Sequence, residues 1–204
     1  MKRDPRDTER QLWTIASGQG GYFTARQALS VGYTYRQQHY HRERGNWLPI
    51  DHGLFRLRDY PPSSHEDLVR WSMWSRDQKG NIQAVVSHES ALHFHDLGEV
   101  MPDRLHLTVP KFFRKQAPDA CILHYNDLPD QDIDSYSGFL VTTPLRAIKD
   151  VAESDLSPEY LTKALNDALN RGIVRRKQFD QNGLSTSGKQ RLDEALRALE
   201  LEAR

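Results

Sequence analysis

Residues 20–57, GGYFTARQALSVGYTYRQQHYHRERGNWLPIDHGLFRL, contain the clearest signals of the fold. Two short helical patterns within this stretch, 25–31 and 34–44, are capped by Thr24 and Thr34 and are each followed by a glycine, which are common start and stop signals. Residues 47–57 then read as two short strands around Asp51-His52-Gly53, a sequence that suits a tight hairpin turn. The stretch therefore predicts two helices followed by a β-hairpin.

Immediately before this stretch, residues 8–17 have apolar side chains spaced for one face of a helix. Tyr22-Phe23 fits one short strand between that helix and the next. The resulting order is helix, strand, helix, turn, helix and hairpin, which is the order of a winged helix-turn-helix with the hairpin as the wing. Residues 59–64, DYPPSS, break the pattern and are predicted to be a linker. We therefore expect a DNA-binding domain over residues 1–60.

Residues 61–204 show a mixed α/β pattern and are predicted to form a second domain with a helical tail. The complete chain is thus expected to have an α+β fold, an N-terminal winged helix-turn-helix followed by a mixed α/β C-terminal domain. Strands are predicted over 84–86, 104–109, 121–125 and 139–141. Helices are predicted over 65–79, 88–97, 143–153, 157–171, 175–181 and 186–203.

The composition is that of an ordinary globular protein, with 204 residues, 37% hydrophobic and 27% charged side chains. No apolar run approaches the roughly 20 residues of a membrane helix, and the N-terminus has no apolar segment typical of a signal peptide. We therefore expect a cytoplasmic protein without a membrane partner. The single cysteine, Cys121, lies in an alternating stretch and is expected to be a buried strand residue.

The net charge is zero, but its distribution is uneven. Residues 1–60 contain ten basic and six acidic side chains, and residues 61–204 contain eighteen and twenty-two. The acidic side chains are concentrated over 125–160, where eight of them accompany Arg146 and Lys149. A basic first part and an acidic second part favour different partners for the two.

The third predicted helix, TYRQQHYHRERG, contains Glu43 as its only acid and is the candidate DNA-reading helix. Gln38 and His41 fall at positions that usually pack inward. Arg36 is suited to a bidentate contact with guanine and Gln37 to one with adenine. Side chains expected on or near the exposed front are Tyr35, Arg36, Gln37, His39 and Tyr40. Side chains expected to contact phosphates are Arg42, Arg44, His52, Arg56 and Arg58. A solvated charged face, or a surface that binds another protein, is the alternative interpretation of the same pattern.

The sequence offers little chemistry for catalysis or metal binding. His88, His93 and His95 lie five and seven residues apart, not at the three- or four-residue spacing of ligands on one helix face. Asp77-Gln78-Lys79 matches one fragment of a nuclease motif, but it ends a predicted helix, not a strand, and no proline-aspartate pair lies upstream. We therefore expect no enzyme activity, no metal and no cofactor.

Three stretches resemble one protein family. Residues 20–57 resemble the N-terminal domain of AbiEi-type antitoxins in their spacing of aromatic-Thr, Gly-aromatic-Thr, Gly-x-Trp and Gly-Leu-Phe-Arg-Leu. Residues 87–110 and 138–154 resemble the antitoxin region that follows. The similarity covers about residues 8–180. The sequence departs from the family pattern at Arg146-Ala147-Ile148, where Arg-Thr-Ile is common, and residues 183–204 carry little family signal.

The resemblance implies an antitoxin and autoregulating transcriptional repressor of a bacterial type IV toxin–antitoxin operon. Its winged helix would bind inverted repeats of double-stranded operator DNA. The protein would be a monomer in solution or a weak dimer, paired on DNA. The region after residue 60 would counter a nucleotidyltransferase-like toxin, directly or indirectly. A stand-alone regulator, or a protein-binding module without a cognate toxin, remains the alternative.

Overall fold

The computed structural model describes residues 4–179 and 183–202. Within these ranges the chain has a mixed α/β fold with eight α-helices and two β-sheets, consistent with the expected α+β class. The chain divides into two compact units. The first comprises residues 1–83 and 135–139, and the second comprises residues 84–134 and 140–204. The division predicted after residue 60 lies inside the first unit.

The first unit begins with the elements that the sequence predicts over residues 1–60, in the same order. A three-stranded antiparallel sheet has the strand order β1-β3-β2, so that β3 is its central strand. The elements of this unit are α1 (Pro5–Ser17), β1 (Tyr22–Thr24), α2 (Ala25–Val31), α3 (Tyr35–Glu43), β2 (Trp47–Asp51), β3 (Leu54–Leu57) and α4 (Glu66–Trp74).

Aromatic side chains dominate the core of the first unit. Phe23 of β1 contacts Trp47 of β2 edge to face, with ring centroids 4.8 Å apart, and Phe55 of β3 lies beside both rings. Leu12 and Ala16 of α1 are buried against this cluster. Burial of each large side chain of this kind contributes about 1.5–3 kcal/mol. The cluster therefore holds α1 and the sheet together.

Helix α4 belongs to the first unit because buried polar contacts connect it to the sheet. Arg56 of β3 donates from Nη2 to Glu66 Oε1 at 2.6 Å. The same nitrogen donates to the carbonyl oxygens of Tyr60 and Pro61, each at 3.1 Å. The segment over 59–64 has the composition of a linker, but these contacts fix it, and the first unit continues to residue 83.

The second unit is built on a five-stranded mixed sheet with the order β6-β5-β4-β8-β7. β4 is antiparallel to β5 and parallel to β8, and β5 is parallel to β6. Residues 135–139, at the turn between β7 and β8, are grouped with the first unit. The strands are β4 (Val85–Val86), β5 (Leu105–Val109), β6 (Cys121–Tyr125), β7 (Ile133–Tyr136) and β8 (Phe139–Thr142), and the helices are α5 (His88–Phe94), α6 (Pro144–Ala152), α7 (Pro158–Asn170) and α8 (Thr186–Glu202).

The sequence of helix α6 explains where the helix begins and which of its faces is buried. Thr143 caps its first turn by accepting from the Arg146 backbone N–H, and Pro144 occupies the first helical position, where its missing N–H costs nothing. Its apolar face, which includes Ile148 and Val151, is fully buried. Cys121 is buried as predicted.

Two predictions for the second unit differ from the structure. Strand β7 was not expected, because its sequence IDSY lies in an acid-rich run with little apolar alternation. The helix predicted over 175–181 is only a 3-10 turn at Arg176–Gln178, whose charged residues are exposed and lack an apolar stripe to bury. Residues 180 and 181 of that predicted helix, and residue 203 of the helix predicted over 186–203, lie outside the described residues.

Candidate nucleic-acid interface

The start of α3 is fixed by a reciprocal capping box. Thr34 Oγ1 accepts from the backbone N–H of Gln37 at 3.3 Å, and the Thr34 backbone N–H donates to Gln37 Oε1 at 2.9 Å. The turn before it passes through Gly32 with φ of +114°, a backbone conformation that side-chain-bearing residues rarely adopt. The angle between α2 and α3 therefore depends on local sequence signals.

One face of α3 packs inward as predicted. Gln38 is 4% exposed and donates from Nε2 to the carbonyl oxygen of Ala25 at 3.2 Å. The His41 ring stacks on Trp47 with centroids 4.8 Å apart and an interplanar angle of 12°. Burial lowers the pKa of His41, which favours a neutral ring there at neutral pH. These two contacts set which side of α3 faces outward.

The outer face of α3 is rich in hydrogen-bond donors and almost free of acids. Arg42 lies with its guanidinium carbon 5.8 Å from the Phe55 ring centroid, and Arg44 lies 5.5 Å from that of Tyr40. Within residues 4–179 and 183–202, no carboxylate pairs with Arg36, Arg42 or Arg44. The predicted residues that are exposed on this helix and its C-cap are Tyr35, Arg36, Gln37, His39, Tyr40, Arg42 and Arg44.

The hairpin beside α3 presents His52 at its tip. Ile50 is an extra residue in β2, since Pro49 pairs with Phe55 while Asp51 pairs with Leu54. The turn closes through Gly53 with φ of +66°. A groove of about 350 Å³ lies between α3 and the hairpin. Its lining includes Tyr35, His39, Arg42, Asp51 and His52.

Asp51 is a groove residue that the sequence analysis assigned only to the turn. Its Oδ1 accepts from the His52 backbone N–H at 2.6 Å, and its side chain is exposed. Asp-x-Gly in a hairpin is a turn signal, and that signal concealed the second role of the carboxylate as a negative charge facing α3. A carboxylate here would oppose the approach of a phosphate.

The prediction that Arg56 contacts phosphate is corrected by the structure. Arg56 is 9% exposed and is held by Glu66 and two backbone carbonyls within the first unit. Arg58, two residues further along, is exposed and has no carboxylate partner in the described part of the chain. The surface of α3 and the hairpin therefore includes Arg58 and excludes Arg56.

The predicted bidentate contact of Gln37 with adenine also needs revision. Gln37 Oε1 already accepts from the backbone N–H and the hydroxyl of Thr34, both at 2.9 Å. A bidentate contact with adenine requires that oxygen as an acceptor and the amide nitrogen as a donor. In this conformation Gln37 offers only its Nε2 hydrogens to an external acceptor.

The described residues show no group of three or more His, Cys, Asp or Glu side chains arranged to hold a metal ion. Among the same residues, no helix is both long and apolar enough to cross a membrane.

Comparison with known proteins finds structural likeness but no matching family. No protein-family model matches the chain, and no curated protein matches it. The crystal structure of RV2827C protein from Mycobacterium tuberculosis aligns with 97% of this chain and 78% of that chain, at a TM-score of 0.48 and 16% sequence identity.

Proposed function

We propose that residues 1–60 form a winged helix-turn-helix that binds double-stranded DNA, with α3 in the major groove and the β2–β3 hairpin as the wing. The observation that carries this proposal is the outer face of α3, where exposed arginines have no carboxylate partner among the described residues. Arginines without carboxylate partners attract a polyanion, and the phosphates of DNA form one. Arg42, Arg44, Arg58 and His52 are the proposed phosphate contacts.

Base recognition is assigned to the first turn of α3, which typically reaches the base edges in this class of fold. Arg36 is exposed and is proposed to contact guanine O6 and N7. Gln37 is proposed to donate to a purine acceptor while its oxygen stays in the capping box. The operator should therefore contain guanine opposite Arg36.

The test is a fluorescence anisotropy titration of the full chain with labelled duplex from upstream of its own reading frame. Arg36→Ala should weaken specific binding by about 1–3 kcal/mol, roughly 5- to 150-fold, and relax the base preference at one position. Arg114→Ala, the removal of an exposed arginine in the second unit, is the charge-matched control. Absence of binding at low salt, or equal effects of the two substitutions, contradicts the proposal.

The wider proposal is that the protein is a transcriptional repressor and antitoxin of the AbiEi type. Its support is the resemblance of residues 20–57, 87–110 and 138–154 to that family. Inverted repeats imply two copies on the operator. Co-expression with a nucleotidyltransferase-like product of a neighbouring gene should restore growth, and a promoter reporter should be repressed. A repressed reporter without growth rescue would leave a stand-alone regulator and exclude the antitoxin role.

The alternative of a protein-binding module rested on the acidic residues over 125–160. Asp132 and Asp150 both contact Arg146, at 3.1 and 2.7 Å, and Asp127 lies 3.7 Å from Lys111. Because these carboxylates already have cationic partners, the acidic run offers less free charge to a basic protein than its composition suggests. We therefore favour DNA binding over this alternative.

A further inference from the structure

A polar cavity of about 690 Å³ lies within the second unit. Its wall is formed by side chains from α5, β5, β6, the 3-10 turn Asp130–Asp132 and α6. Cavities that bind small molecules are typically about 300–1,000 Å³. The cavity therefore has the dimensions of a ligand site, and its chemistry indicates which class of ligand it suits.

Asp150 supplies the strongest indication. Its residue is 6% exposed, and its Oδ1 accepts from Arg146 Nε at 2.7 Å. Its Oδ2 is buried and accepts no hydrogen bond from any residue that the structure describes. A buried carboxylate oxygen without a donor is costly, so such atoms are normally satisfied by a protein group, water or ligand. Because this atom is closed off from the cavity in this conformation, a ligand in the cavity would meet the charge of the carboxylate and not a direct hydrogen bond to Oδ2.

The charges around the cavity favour a cation over an anion. The Arg146 guanidinium is shared by two carboxylates, Asp150 and Asp132, so that this trio has one negative charge in excess when both acids are ionised. Lys149 and Glu153, also in the lining, add one charge of each sign. The described lining is therefore negative by one charge, which attracts a cation and repels an anion.

Stacked imidazoles form another part of the wall. The rings of His88 and His124 lie 3.5 Å apart at an interplanar angle of 12°, and His124 Nε2 lies 3.2 Å from His106 Nδ1. Burial, together with the smaller effect of neighbouring histidines, lowers the pKa of His88 to about 2 and that of His124 to about 4. Both rings are therefore neutral near pH 7, and they add flat aromatic surface without adding positive charge.

We propose that this cavity binds a small planar organic cation of the amidinium or guanidinium class, with its charge beside the Asp150 carboxylate and its plane against the imidazole pair. A planar cation matches the incompletely hydrogen-bonded carboxylate, the excess negative charge and the flat wall at the same time. The site is separate from the surface of α3, so the proposal does not depend on DNA binding.

Benzamidine is the probe for this site, and calorimetric titration of the full chain is the measurement. Benzamide has the same shape without the charge, and benzoate has the opposite charge. Benzamidine should bind with a Kd of about 1 mM or tighter, benzamide at least about tenfold more weakly, and benzoate not measurably. Asp150→Asn should weaken benzamidine binding at least about tenfold, whereas the exposed Asp119→Asn should not change it.

Binding should also weaken in acid. Burial raises the pKa of Asp150 to about 6 in the empty cavity, against the lowering effect of Arg146 and with the support of Asp132 and Glu153. Lys149, His88 and His124 complete the charged and titratable groups of the lining near it. Protonation of Asp150 removes the acceptor charge, so benzamidine should bind more weakly near pH 5 than near pH 7.

His124→Leu is the second variant, because it removes the stacked ring and leaves Asp150 and Arg146 in place. It should weaken benzamidine binding in a chain with unchanged circular dichroism. The proposal is overturned if benzamidine does not bind at about 10 mM. It is equally overturned if benzamide binds as tightly, or if neither Asp150→Asn nor His124→Leu changes the affinity.

Discussion

The outer face of α3 and the cavity of the second unit use the same side-chain types in opposite settings. Arg36 on α3 is exposed and has no carboxylate partner in the described part of the chain, whereas Arg146 in the cavity is held between Asp132 and Asp150. His39 is exposed on α3, whereas His88 and His124 are stacked and largely buried. The exposed side chains on α3 are available to an external polyanion. The side chains around the cavity already contact one another within the second unit.

Because of this difference, binding measurements report on substitutions in α3, and the free energy of unfolding reports on substitutions in the cavity. Substitution of an exposed, unpartnered arginine changes binding and leaves the free energy of unfolding nearly unchanged. Substitution of a buried, paired arginine leaves charges without partners and changes the free energy of unfolding first. Arginine substitutions in the two regions should therefore have opposite profiles.

The largest expected effect is that of Arg146→Met. It leaves Asp132 and Asp150 without their shared cation, and loss of one partner from a buried ion pair typically costs about 3–5 kcal/mol. Amide hydrogen exchange in α6 measures the loss within the second unit. Arg36→Ala is the comparison variant and should remain within about 0.5 kcal/mol of the unsubstituted protein. Equal stability of the two variants would remove the distinction between the regions.

Acid should destabilise the second unit. The pKa values of His88 and His124 are lowered to about 2 and about 4, so below pH 6.5 the unfolded chain binds protons that the folded chain excludes. Stability is full above the unfolded pKa and is lost as the pH falls, by about 1.4 kcal/mol per pH unit for each histidine. Asp150, with its pKa raised to about 6, binds its proton in the folded state and offsets part of this loss.

The second unit should therefore be less stable at pH 5 than at pH 7, because burial also lowers the pKa values of His95 and His106, and these histidines together outnumber Asp150. Urea unfolding at the two pH values, followed by hydrogen exchange in β5 and β6, measures it. His124→Gln removes one of these histidines and should reduce the loss. A loss that is the same in both proteins would show that His124 is not a source of the pH dependence.

The sequence predicts the α3 surface well because its signals are local. Thr34 and Gly45 bound the helix within twelve residues, and helical spacing alone separates the inward Gln38 and His41 from their exposed neighbours. The cavity has no such signal, since His88, His106 and His124 are each eighteen residues apart and meet only through the fold. The four-residue spacing of Arg146 and Asp150 on one helix was the available clue.

Arg56 shows how a local pattern fails. Alternation along a short strand predicts an exposed side chain between two apolar ones, but β3 is the central strand of its sheet and Leu54, Phe55 and Arg56 are all buried. Glu66 of α4, ten residues away, supplies the carboxylate partner. Such a partner cannot be predicted from the strand itself.

Arg56 and Arg58 test the same comparison inside one strand and its flank. Arg56→Ala removes one donor from Glu66 and from each of two carbonyls and should cost about 1–3 kcal/mol of stability. Arg58→Ala should leave stability within about 0.5 kcal/mol. It should also weaken DNA binding for every sequence and lower the slope of log affinity against log salt by about 1. Urea unfolding and anisotropy on both variants separate the effects, and a stable Arg56→Ala chain that loses DNA binding would restore the original assignment.

The smallest expected effect is that of Asp51→Asn, in the groove between α3 and the hairpin. The amide oxygen can still accept from the His52 backbone N–H, so the turn should persist while one negative charge disappears. If the groove receives a phosphate, affinity for DNA should rise by about threefold, and the gain should fade as salt screens it. Asp59→Asn, an exposed acid outside the groove, is the control. Weaker binding confined to one operator position would instead mean that Asp51 accepts from cytosine N4, which would make the groove a site of base recognition.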